Sequence, residues 1–144
     1  MRNFSVGLAL SLVAVMTLTF AVVNVDAADT ITLGFNIPLT GDNPDVGASS
    51  KNAAEMYLKK NPTVDVGGKP YALKFVYDDN EYKAESAVKV STKLITEEGV
   101  LGIIGPQSSS QAVPAGEVAN NYATPMISPW STNPNTTLNR PWVF

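Results

Sequence analysis

The run Val100-Leu101-Gly102-Ile103-Ile104, closed by Gly99 and Gly105, constrains the fold more than any other stretch. It is too short for a buried helix, and it offers solvent no polar residue at alternate positions. Such a run fits a strand covered on both faces, as in parallel sheets flanked by helices. The flanking sequence agrees. Thr30–Ile37 reads as a strand ended by Pro38 and Gly41. Residues 48–61 read as a helix with Ala53, Ala54, Tyr57 and Leu58 on its apolar face, stopped by Pro62. Gly67-Gly68 marks a turn, and Tyr71–Tyr77 is a second strand rich in aromatic and branched residues. A second helix over 83–97 buries Ala84, Ala87, Val88, Leu94 and Ile95, with Gly99 as its stop. A third helix covers about 111–122, with Ala115, Val118, Ala119 and Tyr122 in one stripe. Pro125–Ser128 is a fourth strand, and Trp142–Phe144 begins a fifth. This alternation predicts an α/β fold, a parallel sheet with helices on both faces.

The segment ahead of residue 28 reads as an address. Arg2 precedes an apolar run from Phe4 to Val23, and Val25-Asp26-Ala27 has the small or apolar pattern of a cleavage site. We expect a signal peptide over 1–27, cut after Ala27, and one α/β lobe over 28–144. An uncleaved membrane anchor is the alternative. Ser5, Ser11, Thr17 and Thr19 dilute the apolar run, and no Lys/Arg stop-transfer cluster follows it. No cysteine stands near the cut to carry a lipid, so a soluble periplasmic product is expected. At the other end, the polar loop 129–141 leads straight into the apolar triplet Trp142-Val143-Phe144. The chain is therefore expected to be the front part of a longer protein.

Composition removes several functions at once. The chain has no Cys and no His, which excludes disulfide frameworks, thiolate catalysis, Cys/His zinc sites and every His-based triad. Lys and Arg number 10 against 13 Asp and Glu, for a net charge of −3. A nucleic-acid binder would carry a basic patch instead. There is no Walker A pattern, and Gly102-x-x-Gly105 lacks the spacing of a dinucleotide fingerprint. No cofactor and no metal are called for.

Ligands of open α/β sheets bind outside the carboxyl ends of the strands. Here those ends are Pro38–Gly47, Asp78–Asn80, Gly105–Ser110 and Pro129–Asn133. Ser108-Ser109-Ser110 opens the third helix, where unpaired N–H groups and hydroxyls can hold a carboxylate. Ser109 or Ser110 can equally serve as a helix cap. Asp78-Asp79 reads as helix N-terminal charge and capping rather than as a metal or acid/base pair. Trp130 is either a pocket wall or a partly buried loop anchor, and Thr132 offers a hydroxyl in the same loop. Val46 ends the first loop as a pocket wall or a pre-helix contact. A serine hydrolase would need Lys as its base. The Ser86-x-x-Lys89 pair lies inside the second helix, away from the strand ends, and its companion motifs are absent. No enzyme is expected.

Four strings together resemble one family. They are Phe35-Asn36-Ile37-Pro38-Leu39-Thr40-Gly41, then Tyr77-Asp78-Asp79, then Ile103-Ile104-Gly105-Pro106 with Ser108–Ser110, and Met126-Ile127-Ser128-Pro129 with Thr132-Asn133-Pro134. The chain is similar to the periplasmic leucine/isoleucine/valine-binding proteins of ABC transporters, which have the type I periplasmic binding fold. The resemblance covers 28–144. It implies the first lobe of a two-lobed protein whose hinge closes over a ligand. It also implies that Ser109 and Thr132 hold an amino acid's carboxylate and ammonium, with Ser110 beside them and the backbone of Trp130 on the ammonium. The family often has an aromatic where Val46 stands and a small residue where Trp130 stands. The implied function is to bind a branched-chain type amino acid, or a related small carboxylate or amide, and deliver it to a membrane permease. A ligand-sensing ectodomain of a signalling receptor is the rival reading, and a serine hydrolase a remote one.

Overall fold

The computed structural model describes residues 29–144; the expected signal peptide lies outside them. Strand β1 (Thr30–Ile37) forms the middle of a five-stranded sheet. On one side it pairs in parallel with β3 (Lys69–Asp79), from Thr30 against Ala72 to Ile37 against Asp79. On the other it pairs in parallel with β4 (Gly102–Ile104), which pairs in parallel with β5 (Met126–Ile127). Val143 bridges Met126 in parallel, so the expected further strand is begun at this edge.

One expectation needs correcting. The sheet is mixed rather than wholly parallel, because β2 (Thr63–Val66) lies antiparallel to β3 at the far edge. Gly67 and Gly68, both at positive φ, make its hairpin turn. The four residues of β2 are all exposed. They carry no buried apolar face, which is the signal that reveals the other strands.

Three helices flank the sheet. Helix α1 (Pro44–Lys60) starts earlier than expected, with Pro44 at its first position, where its missing N–H costs nothing. Helix α2 (Ala84–Thr96) and helix α3 (Ser109–Asn121) pack together on the opposite face. Alternation along the strands divides the core accordingly. Ile103 joins Ala87, Val90, Leu94, Ala115, Ala119, Met126 and Val143 beneath α2 and α3. Phe35, Ile37 and Ala54 pack with Phe75, Tyr77 and Ile104 beneath α1. Full burial of side chains such as Leu94 and Ile103 stabilises the lobe by about 1.5–3 kcal/mol each.

The α1 face is less covered than its sequence stripe suggests. Ala54 is buried and Leu58 half-buried, but Ala53 and Tyr57 are exposed. They border an open concavity of about 370 Å³ with Leu33, Phe35, Phe75 and Ile104. On α3, Ala115 and Ala119 are buried as expected, whereas Tyr122 is exposed. On α2, Val90 and Ser91 are buried in place of Ala84, which is exposed.

A buried amide network joins the layers. Asn36 Nδ2 donates to the Ala87 carbonyl at 2.8 Å and to Ser91 Oγ at 2.9 Å, while its Oδ1 accepts from Asn80 Nδ2 at 2.8 Å. All three polar side chains are fully buried, so each bond replaces lost hydration. Asn36 thereby ties β1 to α2 and to the turn after β3. No helix among the described residues is long and apolar enough to cross a membrane.

Candidate ligand-binding site

The loops at the carboxyl ends of the strands are fixed by close backbone contacts. A Cβ at Gly47 would overlap the Pro38 carbonyl oxygen, so only glycine lets α1 begin so near the end of β1. Gly105 has φ of +95°, and a Cβ there would collide with the Asn36 carbonyl. The loop into α3 therefore runs directly beside β1.

Asp79 organises the first loop. One carboxylate oxygen accepts the N–H groups of Leu39 at 2.8 Å, Thr40 at 3.2 Å and Glu81 at 2.8 Å. The other accepts the Thr40 hydroxyl at 2.5 Å. Burial pushes this carboxyl upward, but the Thr40 hydroxyl and the three N–H groups outweigh it and hold Asp79 below its ordinary value. Asp78 turns the other way and pairs with Lys93 at 2.7 Å. That hydrogen bond and charge raise the Lys93 ammonium above its usual range. The capping role expected for these two residues is thus corrected: the N-cap of α2 is Lys83, and no side chain caps the helix. Their partners lie 40 and 15 residues away in sequence.

The serines divide their work. Ser108, not Ser109 or Ser110, occupies the N-cap of α3, and its side chain makes no capping bond. Ser109 Oγ accepts the N–H groups of Thr132 at 3.2 Å and Asn133 at 3.3 Å, and the hydroxyl of Ser131 at 3.0 Å. This brings Ser109 against the backbone of Thr132. Ser110 is exposed and bonds to Ser108 at 3.1 Å, apart from that cluster. One helical step of about 100° separates Ser109 from Ser110, which explains the split. Lys89, the candidate base, pairs with Glu85 at 2.7 Å on α2.

Val46 and Trp130 meet in a different place. With Asp45, Ser49 and Ser50 they line a groove of about 350 Å³ between α1 and the loop after β5. Trp130 is 66% exposed, so it is not the partly buried loop anchor of the alternative reading. Thr132 lines a separate concavity of about 210 Å³ with Ser128, Ser131, Asn133, Thr136 and Phe144. The five candidate residues thus fall into one pair across a groove, one hydrogen-bonded pair, and Ser110 on its own.

Several supporting residues were missed by sequence. Gln107 is buried and donates to Ser50 Oγ at 2.5 Å, and Ser50 donates to the Val46 carbonyl at 2.9 Å. This strap joins the α3 loop to the first turn of α1. Arg140 Nη1 reaches the carbonyls of Val113 at 2.9 Å, Asn135 at 2.8 Å and Thr136 at 3.1 Å. It pins the 3-10 turn Pro134–Thr136 against α3. Its signal in the sequence is a lone cation inside a polar Asn/Thr loop.

Outside the strand ends the arrangement offers a helix N-terminal turn with hydroxyls on one side of the 130–133 loop and an aromatic wall on the other. Comparison with known proteins identifies the family. The sequence family described as "Periplasmic binding protein" matches residues 30–144. The chain belongs to the periplasmic binding protein family. Among its relatives, Leu/Ile/Val-binding protein homolog 1 of Brucella abortus (strain 2308) is 30% identical over 113 residues, covering 78% of this chain and 30% of its own length. The amino acid binding protein of Pseudomonas aeruginosa is 28% identical over 108 residues, 74% of this chain and 28% of its own. Among solved structures, the leucine binding protein LivK of Thermotoga maritima superposes with a TM-score of 0.72 at 26% identity, over 78% of this chain and 31% of its own. LivJ of Streptococcus pneumoniae, in complex with isoleucine, gives 0.71 at 27% identity, over 80% and 33%. The chain thus spans about 30% of the length of the curated relatives it matches.

Proposed function

We propose that this chain is the first lobe of a periplasmic solute receptor that binds an amino acid of branched-chain type, or a related small carboxylate or amide, and delivers it to an ABC transporter permease. The observation that carries this reading is the meeting of Ser109 with the 132–133 backbone at the start of α3, beyond the ends of β4 and β5. That point combines helix N–H groups, partial positive charge and hydroxyl donors, which suits a carboxylate. The Leu/Ile/Val-binding names of its relatives support the ligand class. Ser109 and Thr132 bind the carboxylate and ammonium, Trp130 and Val46 wall the groove, and a second lobe closes over them. Ligand stabilises the closed state, and no covalent step is involved. Export by residues 1–27 delivers the receptor to the periplasm.

The test is calorimetric titration of the intact two-lobed protein with L-leucine, L-isoleucine and L-valine. Ser109→Ala and Thr132→Ala each weaken binding by about 1–3 kcal/mol. Unchanged affinity in both variants refutes the site.

A further inference from the structure

The cluster at Ser109 extends one step deeper than the ligand reading needs. Ser131 Oγ lies 3.0 Å from Ser109 Oγ and 2.5 Å from Thr136 Oγ1. Thr136 is buried, and Arg140 grips its carbonyl, so its position is fixed from behind. A serine hydroxyl has one proton and two acceptor positions. Ser109 Oγ faces three donors, from Ser131, Thr132 and Asn133. Those donors saturate its lone pairs. Among the described residues, none accepts a hydrogen bond from Ser109 Oγ. Ser131 spends its single proton on Ser109, so the proton in the Thr136–Ser131 contact comes from Thr136.

We propose that Thr136 and Ser131 form a hydroxyl relay that orients Ser109, so that the Ser109 proton is presented to the ligand's carboxylate. This rests on the proposed amino-acid site and names positioning residues for it. Ser131 and Thr136 do not touch the ligand in this scheme. They act by filling the acceptor side of Ser109, which fixes where its proton points. The relay runs Thr136 O–H to Ser131, Ser131 O–H to Ser109, and Ser109 O–H to the carboxylate. Each donation in such a chain polarises the next hydroxyl and strengthens its bond.

The experiment is a double-mutant cycle on the intact two-lobed protein, titrated with L-isoleucine by calorimetry. Ser131→Ala is expected to weaken binding ~5–10-fold, close to the loss from Ser109→Ala. In the Ser109→Ala background, Ser131→Ala should cost nothing further. Ser131→Thr keeps the hydroxyl and should restore most of the affinity. Thr136→Val, which removes only the buried hydroxyl, should reproduce the Ser131→Ala loss if the latter variant does not fold. A purely structural role for Ser131 would give the same loss in both backgrounds, and that additivity overturns the relay while leaving the site intact. If Ser109→Ala itself binds as the parent does, or if the parent binds no L-isoleucine, the amino-acid site falls and the relay with it.

Discussion

Replacing Asp79 tests how the first loop is held at the strand ends. Asp79→Ala removes four hydrogen bonds, to Leu39 N–H, Thr40 N–H, Glu81 N–H and the Thr40 hydroxyl. Bonds to a charged acceptor contribute about 1.5–3 kcal/mol each where water is excluded. Only the Leu39 bond is part-buried; the others are exposed. Water replaces exposed partners, so each of those three counts for a few tenths to about 0.5 kcal/mol. The expected loss is about 2–4 kcal/mol at pH 7. Asp79→Asn retains one acceptor oxygen and loses the charge, so its loss is smaller, about 1 kcal/mol.

The sign of the pH dependence follows from the depressed carboxyl. The folded state binds its proton less readily than the unfolded state, whose ordinary value is 3.8. The contribution is therefore complete above that value and is lost as pH falls through the lower folded value. Urea unfolding of parent and Asp79→Ala, followed by circular dichroism from pH 7 downward, measures both effects. The gap should hold steady at neutral pH and narrow below about 4. A gap under 0.5 kcal/mol at pH 7, roughly the noise of a surface substitution, refutes the reasoning. So does a gap that persists unchanged into acid.

Other expectations follow from the same geometry. Asn36→Leu strands Asn80 Nδ2 and Ser91 Oγ in the core and should cost about 2–4 kcal/mol in denaturant unfolding. Gly47→Ala drives a methyl into the Pro38 carbonyl and should cost about 2–3 kcal/mol or more, read as a lower unfolding midpoint. Expressed in a double-membrane bacterium, the precursor should be trimmed so that intact-mass measurement places the new N-terminus at Ala28. Retention of residues 1–27 on the exported product would contradict the cleavage reading.

Much of the fold was legible because the core imposes its period on the chain. Thr30–Ile37 matches its predicted strand end to end, whereas only Gly102–Ile104 of the Gly-bounded run is strand, with Leu101 ahead of it exposed. Helices α2 and α3 start and stop within two residues of expectation, since apolar stripes and Gly99 mark them. Strand β2 escaped because its order comes from backbone pairing to β3 and not from burial. Its Gly67-Gly68 turn between two extended runs was the available signal. The candidate site was legible in its parts and illegible in its grouping. Ser109 and Thr132 were placed together by motif, and the structure joins them through backbone N–H groups. Nothing local tells that Val46 shares a groove with Trp130 and not with Ser109, because that pairing is set by how α1 lies on the sheet. The roles of Asp78 and Asp79 were missed for the same reason. Adjacent strand residues point to opposite faces, and apart from the Glu81 N–H on Asp79, the bonds to Leu39, Thr40 and Lys93 reach far along the chain.

The boundary between Trp130 and Ser131 has a consequence for comparing related chains. Trp130 belongs to the groove beside α1, while Ser131, Thr132 and Asn133 line the other concavity. The loop therefore works as a short reading frame. Deleting one residue ahead of Trp130 would carry Ser131 into the indole's place and empty a position beside Ser109, with composition almost unchanged. On the proposed site, the number of residues between the Met126-Ile127 strand and Pro134 is therefore expected to bear on ligand preference among homologues.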